Sequence, residues 1–365
     1  MTLVLYFAKR FFLSFLLVLA IFFTFLLLID FVEQMRYFDD NSVTVWQVLG
    51  LALLNIPLNL HRILPLVMLA SSILALLGLS RSNELVIARS IGLSWIRILT
   101  PPVATAFLIG MTNLTLFNPI VAISMSQYDV LWASYARGGE STLSISSEGL
   151  WLRQGNSEGQ SVIKATRANS DGTTLYGTSF WIFDVQGGPV SRIEASSAIL
   201  ETGAWSLSQA RQWDLRATNP QAVVQRLKPD AKLPTDLTPS AIRDSFGKPA
   251  SISIWLLPDY ILELERAGFS ARNYRLWLQM ELALPFLLSS MVLLAACFTM
   301  RHTRGSASGI LIVFAVLSGF GVYFLRNFTQ VLGETGQIPI TLAAWAPPAI
   351  ATLCALGLLL HLEES

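Results

Sequence analysis

The sequence predicts an α-helical integral membrane protein with six transmembrane helices and an all-β, jelly-roll-like domain inserted between helices 3 and 4. Three observations predict it. Of the 365 residues, 53% are hydrophobic and only 13% are charged, where a soluble globular domain carries about 25% charge. The apolar residues gather into six runs, each near the ~20 residues that cross a hydrocarbon core. Between the third and fourth runs lies a polar stretch whose apolar residues come in strand-length pieces. This composition excludes an ordinary cytosolic enzyme. Lys+Arg 25 against Asp+Glu 24 also leaves no electrostatic footprint for nucleic acid.

The first span is expected at Phe11 to Ile29, interrupted only by Ser14 and Thr24. Lys9-Arg10 precedes it as in a signal peptide, but no small-residue cleavage site follows, so it reads as a retained span. The second is expected at Ile63 to Leu79. The preceding Trp46 to Leu60 holds Asn55, Pro57 and Asn59, polar breaks that suit a buried or re-entrant approach helix. The third runs from Ile98 to Phe117, entered through Pro101-Pro102, since proline is tolerated in a first helical turn. Spans four to six are Leu276 to Met300, Ile310 to Leu325 and Ile338 to Leu360.

Between them, Leu150-Trp-Leu152, Phe180-Trp-Ile-Phe183, Ala198-Ile-Leu200 and Trp205-Ser-Leu207 have strand length. Asp171-Gly172, Gly187-Gly188-Pro189 and Thr202-Gly203 are turn signals, and no 3.6-residue period is evident from 121 to 255. That pattern reads as a sandwich, jelly roll or barrel. A connector helix is expected at Asp259 to Ala267, with Pro258 in its first turn and Gly268 as its cap. The expected domains are therefore 1–120 (helices 1–3), 121–255 (the β domain) and 256–365 (connector and helices 4–6).

Orientation follows from short loops, which carry more Lys and Arg on the cytoplasmic side. With both termini cytoplasmic, that side holds Lys9, Arg10, Arg81, Arg89, Arg97, Arg301 and Arg304, against Glu84 and Glu363-Glu364. The β domain is then extracytoplasmic.

Catalytic and cofactor motifs are missing. Gly247-Lys248 is followed by Pro249, which no phosphate-cradling loop allows. The three histidines (His61, His302, His361) are far apart, and both cysteines (Cys297, Cys354) lie in apolar runs, where each reads as a small buried hydrophobe. No cofactor or metal site and no enzyme activity are expected of this chain. The span centres look nearly free of ionisable residues, which argues against an intramembrane enzyme.

The segment 82–92 is expected to form a short cytoplasmic helix between spans two and three. Ser82 would cap it, Glu84 would complement its dipole, Arg89 would lie near its far end and Gly92 would end it. It reads either as a device that transmits a push from a docked partner or as a capped, solvated loop. Basic residues at the outer span ends include Arg36, Arg62, Arg137, Arg272, Arg275 and Arg326. Arginine grips phosphate bidentately, and singly each also reads as an interfacial anchor. Ser306, Ser308, Gly309, Ser318, Gly319 and Gly321 in span five read as close helix packing.

In order, these pieces resemble the permeases of lipopolysaccharide export, the LptF/LptG family. The resemblance rests on Leu28-Ile-Asp-Phe-Val-Glu-Gln34, Ser82-Asn-Glu-Leu-Val-Ile-Ala-Arg-Ser-Ile-Gly92 and Gly149-Leu-Trp-Leu-Arg153. In the last third it rests on Gly319-Phe-Gly-Val-Tyr-Phe-Leu325, Gly336-Gln-Ile-Pro339 and Ala344-Trp-Ala-Pro-Pro348.

The resemblance implies a subunit of the bacterial inner membrane with a periplasmic β-jelly roll. It implies pairing with an LptF-like permease, docking of two LptB-like ATPases that bind ATP and Mg, and an LptC-like membrane protein. Lipopolysaccharide would enter a lateral cavity from the outer leaflet and pass to a periplasmic bridge. Glu84, Arg81 and Arg89 would couple to the ATPase. Arg36, Arg62, Arg137 and Arg326 would meet lipid A phosphates, and Phe25, Ile29, Phe320 and Phe324 would meet acyl chains. Some members carry a lysine where this chain has Asp30, which is expected to pair with Arg36 or to sit in headgroup water. The nearest competing reading is the sister permease of the pair, which has the same layout; the others are a membrane-anchored periplasmic lipid-binding module, which would not co-purify with an ATPase, and a lipid enzyme, which would turn lipid over without ATP.

Overall fold

The structure, a computed structural model, describes residues 2–38, 43–137, 143–146, 149–156, 159–169, 173–184, 188–216, 224–228, 231–235, 248–299 and 307–364. Contacts divide the chain into two units. One holds Met1–Asp129, Ile252–Ile254 and Arg275–Ser365, the other Val130–Ser251 and Trp255–Tyr274.

Among the described residues, six helices are long and apolar enough to cross a membrane. Helix α1 (Thr2–Tyr37) runs 36 residues without a break, about 54 Å at 1.5 Å per residue. It therefore continues well past Ile29, because Asp30 and Gln34 find partners on other helices instead of ending it. Phe7, Phe11, Phe15 and Val18 on one face of α1 pack into the core of the membrane unit, at the three- and four-residue spacing of a helical stripe.

The expected approach helix and second span are one helix, α2 (Val45–Arg81), with Pro57 and Pro65 inside it. Each proline frees the carbonyl four residues earlier. In a bilayer, helices tolerate this where neighbouring helices and side chains satisfy the freed backbone groups. Asn55 does not break the helix because its amide is used by α1. A short helix, α3 (Glu84–Ser90), follows.

The third span starts earlier and ends later than Ile98 to Phe117. It comprises α4 (Trp95–Thr112), a π-helical turn at Asn113–Phe117 and α5 (Asn118–Arg137). Ser94 caps α4 by accepting from the Arg97 backbone N–H at 3.4 Å, so Pro101 and Pro102 lie in its second turn. The helical residues 118–137 lie largely within the segment read as free of helical period; their polar residues mask the pattern.

After the β region come α6 (Leu257–Arg266), α7 (Arg272–Thr299), α8 (Ala307–Glu334) and α9 (Ile340–Glu364). Spans four to six are α7, α8 and α9. Gly110 of α4 lies so close to α7 that a Cβ there would sit 2.5 Å from the Pro285 Cα. Gly319 of α8 faces Leu69 of α2 as closely, while Gly309 and Gly321 face open space. Of the expected small-residue stripe, only Gly319 marks a tight approach to another helix; Ser306 and the Ser308 side chain lie outside the described residues. Cys297 is buried, but Cys354 is exposed on α9, contrary to the reading of both as buried.

In the second unit the described strands form an antiparallel sheet in the order β1-β2-β3-β4-β5-β6-β9, with β7 pairing β5 and β8. The strands are β1 (Leu143–Ser146), β2 (Gly149–Asn156), β3 (Gly159–Ala168), β4 (Thr174–Phe183), β5 (Pro189–Glu201), β6 (Ala204–Ser208), β7 (Arg211–Asp214), β8 (Val224–Arg226) and β9 (Ala231–Pro234). All four strand-length runs read from the sequence lie in these strands. Leu152, Ile163, Phe180 and Ile193 align across β2 to β5 and are buried. The next residues along point to the opposite face, where Trp151 stacks on Trp181 and Arg192 lies over Trp181 and Trp213. Gly203 (φ +78°) turns β5 into β6. Helix α6 ends at Gly268 (φ +91°), and the Ala168 backbone N–H of β3 donates to the Ala267 carbonyl at 2.8 Å.

Candidate functional site

The short helix α3 forms inside the expected 82–92 but is shorter, Glu84–Ser90, with Gly92 (φ +85°) just past its C-cap Ile91. Its N-cap differs. Asn83 occupies that position in the left-handed conformation (φ 59°) without a side-chain cap bond. Ser82 instead donates to a Glu84 carboxylate oxygen at 2.8 Å. The same oxygen accepts from Arg10 of α1, whose guanidinium also donates to the Tyr6 hydroxyl at 2.8 Å. Partial burial pushes the Glu84 carboxyl up, but the hydrogen bonds from Ser82 and Arg10 outweigh it and hold the group below the ordinary glutamate value. Arg81 is exposed at the end of α2. Arg89 is exposed too, its guanidinium 4.3 Å from the centre of the Trp95 ring, a cation–π distance. The three residues read together from the sequence thus stand around one short helix, with Glu84 tied to α1.

The apolar candidates lie on two helices flanking α2. Phe25 and Ile29 of α1 are 63% and 49% exposed, and Phe320 and Phe324 of α8 are 53% and 72% exposed. Their four-residue spacings put each pair on one helix face, and Phe324 stacks on Phe328 at 6.3 Å.

The arginines divide. Arg36 and Arg62 are exposed, whereas Arg326 on α8 is buried at 8%. Arg326 faces Arg62, Tyr323 and Glu281 electrostatically. Arg137 ends α5 and its side chain lies outside the described residues. Asp30 neither pairs with Arg36 nor sits in water: it is 5% exposed and accepts from the Asn55 amide at 2.7 Å. A buried acid is stable only with such partners, and α2 supplies one.

The bundle interior holds a cluster that sequence reasoning missed. His61 of α2 is 1% exposed, with Nδ1 3.0 Å from Asn113 Oδ1 and Nε2 2.7 Å from Glu281 Oε1. Glu281 of α7 is also 1% exposed. The Trp277 ring, one turn before Glu281, lies 6.0 Å from the imidazole. Glu281 Oε2 and Trp277 Nε1 are buried without a hydrogen-bond partner among the described residues. Asn113 opens the π-helical turn, a feature frequent at functional sites. The expectation of nearly charge-free span centres is thus overturned. The available signal was one ionisable residue in each of two apolar runs, since hydrocarbon demands a partner for each.

The family model described as "Lipopolysaccharide export system permease LptF/LptG" matches residues 5–361. The lipopolysaccharide export system permease protein LptG of Escherichia coli (strain K12) is 26% identical over 328 residues, covering 89% of this chain and 86% of that one. The protein of that name from Haemophilus influenzae is 26% identical over 326 residues, covering 85% and 84%. With a match running nearly from end to end, the chain belongs to the LptF/LptG family of lipopolysaccharide export permeases.

Proposed function

We propose that this chain is the LptG-type permease of an ATP-driven lipopolysaccharide extractor, paired with an LptF-like sister. Both relatives carry the LptG name; the second reading is the sister permease LptF, which shares the layout. In this reading both termini are cytoplasmic, the β domain is periplasmic, and α1 and α8 form this chain's share of the cavity wall. Lipopolysaccharide enters from the outer leaflet of the inner membrane and is passed upward to an LptC-like protein and the periplasmic bridge. Two LptB-like ATPases hold the ATP and Mg, and one of them docks on α3 through Arg81, Glu84 and Arg89.

The observation that carries the reading is the pair of unspent apolar faces on α1 and α8. Phe25, Ile29, Phe320 and Phe324 remain 49–72% exposed, while more than half of the most apolar windows of α2 and α7 is buried. Removing a multi-chain lipid from a bilayer costs about 0.8 kcal/mol per CH₂, so the wall must offer apolar surface and the work must come from outside this chain.

A photo-crosslinker at Phe324 in cells tests this. Lipopolysaccharide should be captured, and capture should fall when the ATPase turns over. An assembled complex that captures none would remove α8 from the cavity wall.

A further inference from the structure

A groove of about 680 Å³ runs along the bundle between α4, α7 and α9. At one end α4 and α7 touch: Phe107 meets Phe286 edge-on at 5.4 Å, and one turn farther Gly110 abuts Pro285. From that contact the groove follows Val103 and Leu99 of α4, with Leu293 of α7 and Leu356 of α9 also lining it, to Trp95 at the start of α4. Trp95 and Leu108 both line it, and the helix between them rises about 20 Å at 1.5 Å per residue. That is more than one leaflet's share of the roughly 30 Å hydrocarbon core.

The lining suits a hydrocarbon chain. Its two hydroxyl groups, on Thr100 and Ser289, donate to carbonyls of their own helices, Ile96 and Pro285, each at 2.8 Å. Neither hydrogen is left to orient a polar molecule. The Leu, Val and Phe side chains forgo dispersion contacts unless apolar matter fills the space.

The Trp95 end is cationic. The Arg89 guanidinium lies 4.3 Å from the centre of the Trp95 ring. Arg97 is exposed in the first turn of α4. Ala104 and Leu108, seven and eleven residues on, lie on the same side of the helix as Arg97, and both line the groove. Among the described residues neither arginine is in an ion pair. A lone arginine at a span end is an interfacial anchor. Here two stand at the mouth of a chain-deep apolar groove, so one lipid finds partners for headgroup and tail together. Basic pockets between helices on the cytoplasmic side recognise anionic headgroups in this way.

We propose that the groove binds one anionic phospholipid of the cytoplasmic leaflet, with an acyl chain between α4, α7 and α9 and its phosphate at Arg97 and Arg89. The site is distinct from the α1 and α8 faces assigned to the exported lipid. It rests on the proposed function only for orientation, which puts the start of α4 on the cytoplasmic side.

The test places a photo-crosslinker at Leu356, which lines the groove, and separately at Leu353, which is 70% exposed on the same helix outside it. The full chain, with the partners that co-purify with it, enters nanodiscs of phosphatidylglycerol and phosphatidylcholine in equal amounts with identical acyl chains. No lipopolysaccharide or ATP is added, and mass spectrometry reads the ratio of the two lipids captured. At Leu356 phosphatidylglycerol should be enriched by about fivefold or more, the preference that one basic residue near a membrane surface supplies. At Leu353 the ratio should stay near one. Arg97→Gln should lower the Leu356 enrichment by about fivefold, and Leu293→Trp, which fills the groove, should reduce capture of both lipids there. Equal capture at Leu356, the same enrichment at Leu353, or enrichment unchanged in Arg97→Gln overturns the proposal. So does capture of a partner's helix in place of lipid. None of these results touches α1 or α8, so each leaves the proposed function standing, and failed lipopolysaccharide capture at Phe324 would leave the groove standing.

Discussion

The spanning helices of the membrane unit differ widely in how far they are buried, and the two ends of that range behave differently. In the most apolar windows of α2 and α7, 61% and 72% of residues are buried within the protein; in α1 and α8 the figures are 11% and 17%. Composition does not separate them, since all four are dominated by Leu, Ile, Val, Phe and Ala. Partnering does. The inner pair supplies His61 and Glu281, binds through Asn113, and meets its neighbours at separations only glycine allows. The outer pair keeps large side chains free. In a membrane, lipid is as apolar as the core, so burial marks where packing and polar pairing operate. Exposure marks surface still available to a partner or a substrate.

The sharpest way to break this contrast is to remove one member of the buried pair. His61→Ala should cost about 3–5 kcal/mol, because it leaves an uncompensated carboxylate inside the bundle. A large fall in thermal unfolding temperature in detergent would show it. Next is the α4–α7 contact. Gly110→Val should destabilise by about 1–3 kcal/mol through forced separation of two backbones, read as loss of folded protein on heating.

A smaller effect is expected where α1 meets α3. Arg10→Ala should cost about 0.2–1 kcal/mol, as for a partly exposed ion pair. The sign with pH follows from Glu84. Its carboxyl is held below the ordinary value, so its contribution is complete above that value and is lost as pH falls through the depressed one. Acid should therefore loosen α3 in the parent and loosen it less in Arg10→Ala, where Ser82 still holds the carboxylate, which hydrogen exchange of 84–90 would report. The smallest effect belongs to the outer face. Phe324→Ala should change stability by no more than about 0.5 kcal/mol, and a larger shift in unfolding would mean that α8 is structural.

The spans were legible because length and apolar composition decide them with little help from context. The strands were legible because Leu150, Phe180, Ala198 and Trp205 open short apolar runs, several of them beside turn residues. The joining of 45–60 to the second span was not legible. Asn55 and Pro57 argue against a continuous helix in water; here the Asp30 carboxylate, on another helix, gives the Asn55 amide its partner, and a proline is tolerated where neighbouring helices surround it. Glu281 sits near the start of an apolar run, where an acid reads as interfacial. Its partner is 220 positions away in sequence, and no local pattern links the two. The coupling candidates clustered as expected because their sequence is contiguous. The arginines come from different spans, so which of them is buried and which exposed is decided by packing.

The tie between Arg10 and Glu84 makes α1 a lever. Arg10 sits near the helix start, and Ile29 lies 19 residues farther along an unbroken helix, about 28 Å away at 1.5 Å per residue. If α3 is pushed, the displacement is applied to α1 at its base. A tilt of about 10° would shift Ile29 sideways relative to Arg10 by about 5 Å, roughly the pitch of one helical turn. A short helix at one end of the bundle can thus move an apolar face at the other without any change in the fold of either.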